Sequence, residues 1–219
     1  MKESLILRHT RLEDVPRIVE TQNRVYPTIG GWSREQLESQ IEVFPQGQVV
    51  AYIGKRFVGA ASSLIVKWDD FGQHHTWKEV TGNGTFRTHN PEGRTLYGAE
   101  VFADPSLRRS GIGTKLYQAR RRICRALNLR RIMACGRMPN YHRVGNEMSP
   151  ETYAMKVIWG DLSDPVLRFQ LREGFQYCGV IHGYLPSDEE SRGNATIIVW
   201  VNDRFKPDQP TKIPEGPIL

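Results

Sequence analysis

The sequence predicts a single α/β domain with about seven strands and with helices between them. The first observation is size and composition. At about 150 residues per domain, 219 residues fit one large domain, and a content of 39% hydrophobic and 25% charged residues is typical of a globular protein. The second is the alternation of short strand patterns with helical patterns that begin at capping residues. The third is a strand, a turn and a glycine-opened helix near the middle of the chain, a unit common in α/β folds.

The N-terminal part begins with a strand, continues through two helices and then forms a hairpin. Thr10 is a candidate N-cap for the first helix, which ends at Tyr26 because the residue before a proline disfavours helical backbone. Ser33 and Gln36 have the spacing of a capping box for the second helix. Gly54-Lys55 joins two strand patterns as a tight turn. The predicted elements are a strand over 4–9, helices over 11–26 and 34–44, and strands over 48–53 and 56–66.

Residues 67–95 separate the third predicted strand from the fourth. Loops of this length without structure are uncommon in compact domains, so we expect an insertion with some structure of its own. Beyond it, proline at the first helical position marks helices that begin after Ser149 and Asp164. The predicted elements are strands over 96–103, 131–135, 176–184 and 195–201, a helix over 111–127, helices from 150 and 165, and a Pro-rich tail over 202–219.

Charge and cysteine content narrow the classes of function. Lys and Arg exceed Asp and Glu by 30 to 24, a net charge of +6, which favours an anionic partner. Between Arg108 and Arg131 nine residues are basic and none is acidic, which fits either an exposed helix face or an anion site. No apolar run is long enough for a membrane helix. Three widely spaced cysteines indicate a reduced, cytoplasmic protein.

The segment from Val101 to Thr114 has the features of a phosphate site. A strand ends, and Gly111 opens a helix whose free N–H groups and dipole favour negative charge. Glycine lets a ligand approach the backbone closely, and Arg108 and Arg109 add positive charge. Neither a P-loop nor a dinucleotide fingerprint is present, since Leu116 stands where the latter needs a third glycine. The sequence therefore predicts a phosphate or pyrophosphate site without naming the ligand.

The run from Arg108 to Gly113 resembles the Arg/Gln-x-x-Gly-x-Gly/Ala signature of the GCN5-related N-acetyltransferases, the GNAT superfamily. The segment from Asp164 to Phe175 is similar to the penultimate helix and the Gly-Phe strand entry of that family. More narrowly, residues 75–79, 188–193 and the loop after Met138 resemble the GNAT-like domain found fused to nitrilase-type amidases. The resemblance extends from the first strand to Val201, so it implies one GNAT-like domain over 1–201.

The resemblance implies a mixed sheet with helices on both faces and a V-shaped split between the fourth and fifth strands. Acetyl-CoA would lie in the split as cosubstrate, with its pantetheine arm along the fourth strand and its pyrophosphate on the glycine turn. A backbone N–H there would stabilise the developing oxyanion. The implied cofactor-binding residues are Val101, Phe102, Ala103, Arg108, Arg109, Ser110, Gly111, Ile112, Gly113 and Thr114.

Acetyl transfer to an amine also needs a base, because a free amine with a pKa near ~10.4 is mostly protonated at neutral pH. Glu100 on the fourth strand is the first candidate, and a half-exposed glutamate paired with an arginine is its structural alternative. His142 in the loop after the fifth strand is the second candidate. Its neighbour Tyr141 is a candidate proton donor or a packing residue. The family's usual tyrosine acid falls at Gln170, which cannot protonate the leaving thiolate.

The function predicted on these grounds is acetyl-CoA-dependent N-acetyl transfer to an unidentified primary amine, on a small molecule or a peptide, by direct attack in a ternary complex. The alternative is a non-catalytic acyl-CoA-binding or regulatory module. Nucleic-acid binding through Arg120 to Arg122 is disfavoured, since no recognition motif accompanies the charge. No metal site is predicted, because His74 and His75 are adjacent and no second ligand cluster exists. A homodimer is compatible with the sequence, which does not fix the oligomeric state.

Overall fold

A computed structural model describes residues 4–72, 74–107, 110–214, 216 and 218–219, and its centre is one seven-stranded mixed sheet. The strand order is β1-β2-β3-β4-β5-β7-β6. Among the described strands only β4 and β5 pair in parallel, and all other neighbours are antiparallel. The strands are β1 Leu5–His9, β2 Gln48–Ile53, β3 Arg56–Val66, β4 Thr95–Ala103, β5 Arg131–Gly136, β6 Gln176–Ile181 and β7 Ala195–Val201. The predicted α/β class and the strand count are confirmed.

Helices cover both faces of this sheet, and each face buries its own apolar cluster. One cluster joins the sheet to α4, α5 and α6 through residues such as Leu116, Tyr153 and Leu167. The other joins it to α1, α2 and α3 through Val15, Leu37 and Val80. The helices are α1 Val15–Val25, α2 Arg34–Val43, α3 Trp77–Thr81, α4 Ile112–Ala126, α5 Pro150–Trp159 and α6 Pro165–Arg172. No described helix is both long and apolar enough to cross a membrane.

Most predicted boundaries are confirmed by cap geometry. The Ser33 side chain accepts the backbone N–H of Gln36, whose own side chain accepts the N–H of Ser33. Two boundaries differ from the prediction by more than one residue. Helix α1 begins at Val15 rather than after Thr10, because a separate 3-10 turn precedes it over Leu12–Asp14. Strand β6 ends at Ile181 rather than residue 184, because the chain turns with positive φ at Gly183.

Asp164 is a buried cap that ties three segments together. One carboxylate oxygen accepts the N–H groups of Val166 (2.9 Å) and Leu167 (3.0 Å), and the other accepts the Tyr153 hydroxyl (2.9 Å) and the Asn140 N–H (3.2 Å). We expect Asp164→Ala to lower the free energy of unfolding by about 3 kcal/mol, because buried donors lose their acceptor. Urea unfolding measures this. Ser149→Ala, which removes the exposed cap of α5, is the control, with an expected loss of about 1 kcal/mol.

The insertion and the C-terminal segment both pack on the domain. The insertion contains α3, which begins with a second capping box between Thr76 and Glu79. The described part of residues 202–219 has no helix or strand. It nevertheless contacts the first strand, since the backbone N–H of Ile218 donates to His9 Nε2 at 3.0 Å. The assignment of these two segments as an insertion and a tail of one domain stays a prediction.

Candidate active site

A cleft opens where β4 and β5 separate. The two strands pair only between Thr95–Gly98 and Arg131–Ala134, and beyond that point both continue without pairing to each other. Two cavities of about 840 and 830 Å³ lie at the split. Both are lined by the strand edge Val101–Ala103 and by Gln170, so they form one continuous groove. The V-shaped split expected between the fourth and fifth strands is confirmed.

The outer end of the groove is the glycine turn at the start of α4. Gly111 has a φ of +81°, a left-handed conformation that favours glycine, and it sits at the N-cap. A Cβ at Gly113 would come 3.0 Å from the ring of Phe169. Glycine at this position therefore lets the Phe169 ring pack close to the start of α4 and leaves the backbone there accessible to a ligand. The segment Ser110–Thr114 lines the cavity, and the aligned N–H groups of a helix start favour an anion there. Arg108 and Arg109, predicted as phosphate contacts, lie outside the described residues.

The middle of the groove is a bulged stretch of β4. The register with β3 shifts from Ser62 opposite Glu100 to Ser63 opposite Gly98, which leaves Ala99 as an extra residue. The buried Arg120 guanidinium holds this bulge by donating to the Glu100 carbonyl at 2.5 Å and to the Ser63 hydroxyl at 3.0 Å. Gly98 makes room for it, since a Cβ there would lie 2.8 Å from Arg120 Nη1. No sequence pattern predicts this role, because Arg120 lies within the basic run and looks like its neighbours.

The Glu100 carboxylate lies in the inner part of the groove. Its Oε1 accepts the Tyr26 hydroxyl and the Val101 N–H, both at 2.8 Å. Burial raises the pKa of Glu100, and these two hydrogen bonds and the charges of Arg137 and Arg120 oppose that rise. A carboxyl group with a raised pKa is better matched to accept a proton near neutral pH than an exposed one.

Aromatic and charged side chains form the inner walls. Tyr26, Trp32, Trp77 and Tyr184 line the same cavity as Glu100. Arg137 closes one side, with its guanidinium paired to Asp188 (2.5 Å) and Glu190 (2.8 Å) and 5.7 Å from the centre of the Tyr26 ring. Tyr26, Trp32 and Trp77 belong to an aromatic set that the sequence offers either as pocket lining or as core, whereas nothing in the sequence around Tyr184 marks it as a site residue.

Tyr141 and His142, the other two predicted catalytic residues, are placed away from Glu100. The Tyr141 hydroxyl donates to the backbone carbonyl of Met148 at 3.0 Å, and its ring packs on Tyr153. His142 is exposed, and its Nδ1 lies 2.8 Å from the carbonyl of Pro139. Neither side chain is part of the cavity walls formed by the described residues. Their catalytic roles stay predictions, and the geometry gives Glu100 the better position.

Gln170 projects from α6 into the wall shared by both cavities. Its side chain is buried, and its Oε1 has no hydrogen-bond partner among the described residues. Gly136 leaves the space for this amide, since a Cβ there would lie 2.3 Å from Oε1. A buried carbonyl oxygen without a donor is costly in a folded protein, so an N–H from a bound ligand would satisfy it.

We expect Gln170→Ala to lower kcat less than roughly 10-fold, because only one polar contact of about 1 kcal/mol is lost. A thiolate with a pKa of ~8.5 can leave without an acid, so no catalytic proton depends on this residue. Steady-state kinetics with acetyl-CoA tests this expectation. A companion variant is Gln170→Tyr, for which we expect an unchanged affinity for acetyl-CoA. A fall of 100-fold or more in kcat for the alanine variant, with binding intact, contradicts the expectation.

Comparisons with known proteins agree with this geometry. Residues 15–145 match the family model of the acetyltransferase (GNAT) family. The chain is 38% identical over 208 residues to the probable hydrolase YhcX of Bacillus subtilis, covering 95% of this chain but only 40% of that relative. It is 33% identical to the uncharacterized N-acetyltransferase YkwB of the same species, covering 93% and 92% of the two chains. The structure of the GNAT-like decarboxylase GphF with isobutyryl-CoA superposes with a TM-score of 0.76 at 24% identity, covering 90% of this chain and 99% of that one.

Proposed function

The chain belongs to the acetyltransferase (GNAT) family. From this premise we propose that it is an N-acetyltransferase that transfers the acetyl group of acetyl-CoA to a primary amine by direct attack in a ternary complex. The observation that supports this most is the position of the Glu100 carboxylate. It lies in the wall of a groove whose outer end is the glycine turn of α4. An amine in the inner cavity and a thioester at the β4 edge would therefore meet beside a proton acceptor.

The residues of the groove fit acetyl-CoA in two respects. The glycine turn Gly111–Gly113 leaves the start of α4 open to a pyrophosphate, and a helix start favours negative charge. The unpartnered Oε1 of Gln170 is placed to accept an amide N–H, and the pantetheine arm carries two amides. When bound, acetyl-CoA supplies an activated acyl group, and the strand edge Val101–Ala103 orients it.

The inner cavity is where the acceptor would lose its proton. An ammonium cannot attack a carbonyl, so Glu100 would first take one proton from the bound amine. The Tyr26 hydroxyl fixes the carboxylate at Oε1 and leaves Oε2 as the oxygen that accepts this proton. Three aromatic walls, Tyr26, Trp32 and Trp77, exclude water around the reacting nitrogen.

The test measures acetyl-CoA binding and turnover separately. Calorimetry with acetyl-CoA and with CoA reports binding without an acceptor. A thiol assay for released CoA, run against a panel of polyamines, amino acids, aminoglycosides and short peptides, reports transfer. Acetyl-CoA binding together with amine-dependent CoA release supports the proposal. The absence of acetyl-CoA binding contradicts it.

A second function is favoured by Gln170, which stands where the resemblance places a tyrosine acid. A domain that binds acyl-CoA without transferring the acyl group has no need of that acid. In that case acetyl-CoA or a longer acyl-CoA binds, and no amine in the panel releases CoA above the rate of hydrolysis. The same two measurements therefore separate the two functions.

A further inference from the structure

Four side chains, three of them buried and one half-buried, form a hydrogen-bonded cluster at and behind the wall of the inner cavity. His75 comes from the insertion, Tyr97 from β4, Cys135 from β5 and Tyr184 from the turn after β6. The Tyr97 hydroxyl lies 3.0 Å from His75 Nε2, 2.8 Å from the Tyr184 hydroxyl and 3.2 Å from Cys135 Sγ. His75 Nδ1 lies 3.0 Å from the carbonyl of Gly72. Nothing in the predicted chemistry of acetyl transfer uses this cluster.

The hydrogen atoms of the cluster can be assigned by elimination. A backbone carbonyl only accepts, so Nδ1 carries the His75 proton and Nε2 is an acceptor. Burial lowers the pKa of His75, which keeps the ring neutral at pH 7. The Tyr97 hydroxyl has three acceptors within reach, His75 Nε2, Cys135 Sγ and the Tyr184 oxygen, and its single proton points to Nε2, the strongest acceptor of the three. Tyr184 must then donate to the Tyr97 oxygen. Burial raises the pKa of Cys135 to about 12, so it stays a thiol, and its sulfur is a weak second acceptor for the Tyr97 hydroxyl.

This assignment gives the cluster one direction. Both hydroxyl protons, that of Tyr184 and that of Tyr97, point away from the cleft and toward His75. Tyr184 and Cys135 are the members that line the inner cavity with Glu100, whereas Tyr97 and His75 lie behind them. Tyr184 therefore presents an oxygen lone pair toward the cavity rather than a proton, and it can accept an N–H from a bound amine.

We propose that Tyr184, Tyr97 and His75 form a proton relay that carries the second proton of the acceptor amine from the cleft to His75. The proposal rests on the proposed acetyl transfer. Tyr184 is the member that touches the substrate, and Tyr97 and His75 act through it. Heavy-atom separations of 2.8 and 3.0 Å lie within the range for proton transfer between neighbours.

The chemistry needs two proton acceptors, because an ammonium that becomes an amide loses two protons. Glu100 takes the first proton before attack. As the N–C bond forms and the C–S bond breaks, the second N–H proton passes to the Tyr184 oxygen, the Tyr184 proton to Tyr97, and the Tyr97 proton to His75 Nε2. The C–S electron pair leaves with sulfur as the CoA thiolate, which takes one proton from water. The His75 imidazolium and protonated Glu100 then return two protons to solvent, so one proton is released in total.

The exit from the relay lies at the insertion. The second ring nitrogen of His75 donates to the carbonyl of Gly72, a half-exposed residue, so the buried ring lies one hydrogen bond from a residue that contacts solvent. Trp68 and Phe71 pack edge-on against the ring at 5.6 and 6.0 Å, and Glu79 is the charged side chain that acts on it most. The His75 end of the relay thus lies on the insertion side of the cluster, outside the walls of the inner cavity.

The test compares Tyr97→Phe with Tyr153→Phe, which also removes one buried, hydrogen-bonded hydroxyl but outside the cleft. We expect Tyr97→Phe to lower kcat about 10-fold with unchanged KM for acetyl-CoA, and Tyr153→Phe to stay within about 2-fold of wild type. For wild type, a plot of kcat against the fraction of D₂O in H₂O/D₂O mixtures should be curved, because several protons move in one step. For Tyr97→Phe the same plot should be linear. Tyr184→Phe should reproduce both effects, and it replaces Tyr97→Phe if that variant does not fold.

The outcomes separate this proposal from the one on which it rests. If wild type turns over and Tyr97→Phe has the same kcat and the same curved isotope plot, the relay is overturned and acetyl transfer is unaffected. The relay is also overturned if Tyr97→Phe and Tyr153→Phe lose activity in the same proportion to their loss of thermal stability, because the cluster then has only a structural role. No turnover by wild type with any amine overturns the transfer and the relay together.

Discussion

The Gly113→Glu variant is expected to bind acetyl-CoA at least about 100-fold more weakly than wild type, a loss of about 2.8 kcal/mol or more. Gly113 lies in the first turn of α4 and lines the outer cavity. A carboxylate there occupies the field of the helix start, which otherwise favours a phosphate. It also adds bulk next to the Phe169 ring, where even a Cβ comes within 3.0 Å.

The fold is expected to survive this change. Glutamate has a better helix propensity than glycine, and a negative charge in the first helical turn is stabilising. Gly113→Gln is the matched control, because it has the same bulk without the charge. Calorimetry with acetyl-CoA should rank wild type above Gly113→Gln and Gly113→Gln above Gly113→Glu. Equal affinity of the glutamate variant and wild type, both folded by circular dichroism, would remove the argument for a phosphate site.

Local chemistry made much of this fold predictable from the sequence. The capping box at Ser33 and the Asp164-Pro165 helix start depend on residues within four positions of each other, so a single segment specifies them. The position of Glu100 at the split also follows from local order, since a strand, a turn and a glycine-opened helix follow one another along the chain. In these places propensity, capping and hydrophobic pattern agree with the tertiary structure.

The inner cavity was not predictable in the same way. The contact of Tyr26 with Glu100 joins residues 74 positions apart, and that of Tyr97 with Tyr184 joins residues 87 apart. No local pattern distinguishes these tyrosines from core residues, because their partners are fixed only once the sheet has formed. The loop with Tyr141 and His142 shows the converse, since its position after β5 made both residues candidates and its own turn directs them away from Glu100.

The basic run between Arg108 and Arg131 illustrates a limit of composition as a guide. An exposed helix face and an anion site were both open. In the described structure Arg120 is buried under the β4 bulge, Arg121 pairs with Glu173 at 3.1 Å, and Arg125 pairs with Asp203 at 3.0 Å. Charge density alone does not predict whether an arginine is buried or forms an exposed ion pair, because each environment depends on a partner from elsewhere in the chain.

The Glu100→Gln variant is expected to turn over about 10²- to 10⁴-fold more slowly than wild type near neutral pH, the range for loss of a general base. The amide keeps an acceptor oxygen for the Tyr26 hydroxyl and the Val101 N–H, so the geometry of the β4 edge is retained. Because burial raises the pKa of Glu100, the carboxylate costs stability once it ionises, and the variant should be no less stable than wild type at neutral pH.

The pH dependence separates a base from a structural residue. In wild type the rate should fall as pH drops through the raised pKa of Glu100, since the protonated carboxyl cannot accept a proton. The Gln variant lacks that limb, and its defect should shrink as pH rises toward the amine pKa of ~10.4, because more acceptor is already neutral. Tyr26→Phe is the control: it keeps the carboxylate but removes a hydrogen bond that lowers its pKa, so the acid limb should move to higher pH. A defect of Glu100→Gln that is the same at every pH would show that Glu100 positions the acceptor instead of deprotonating it.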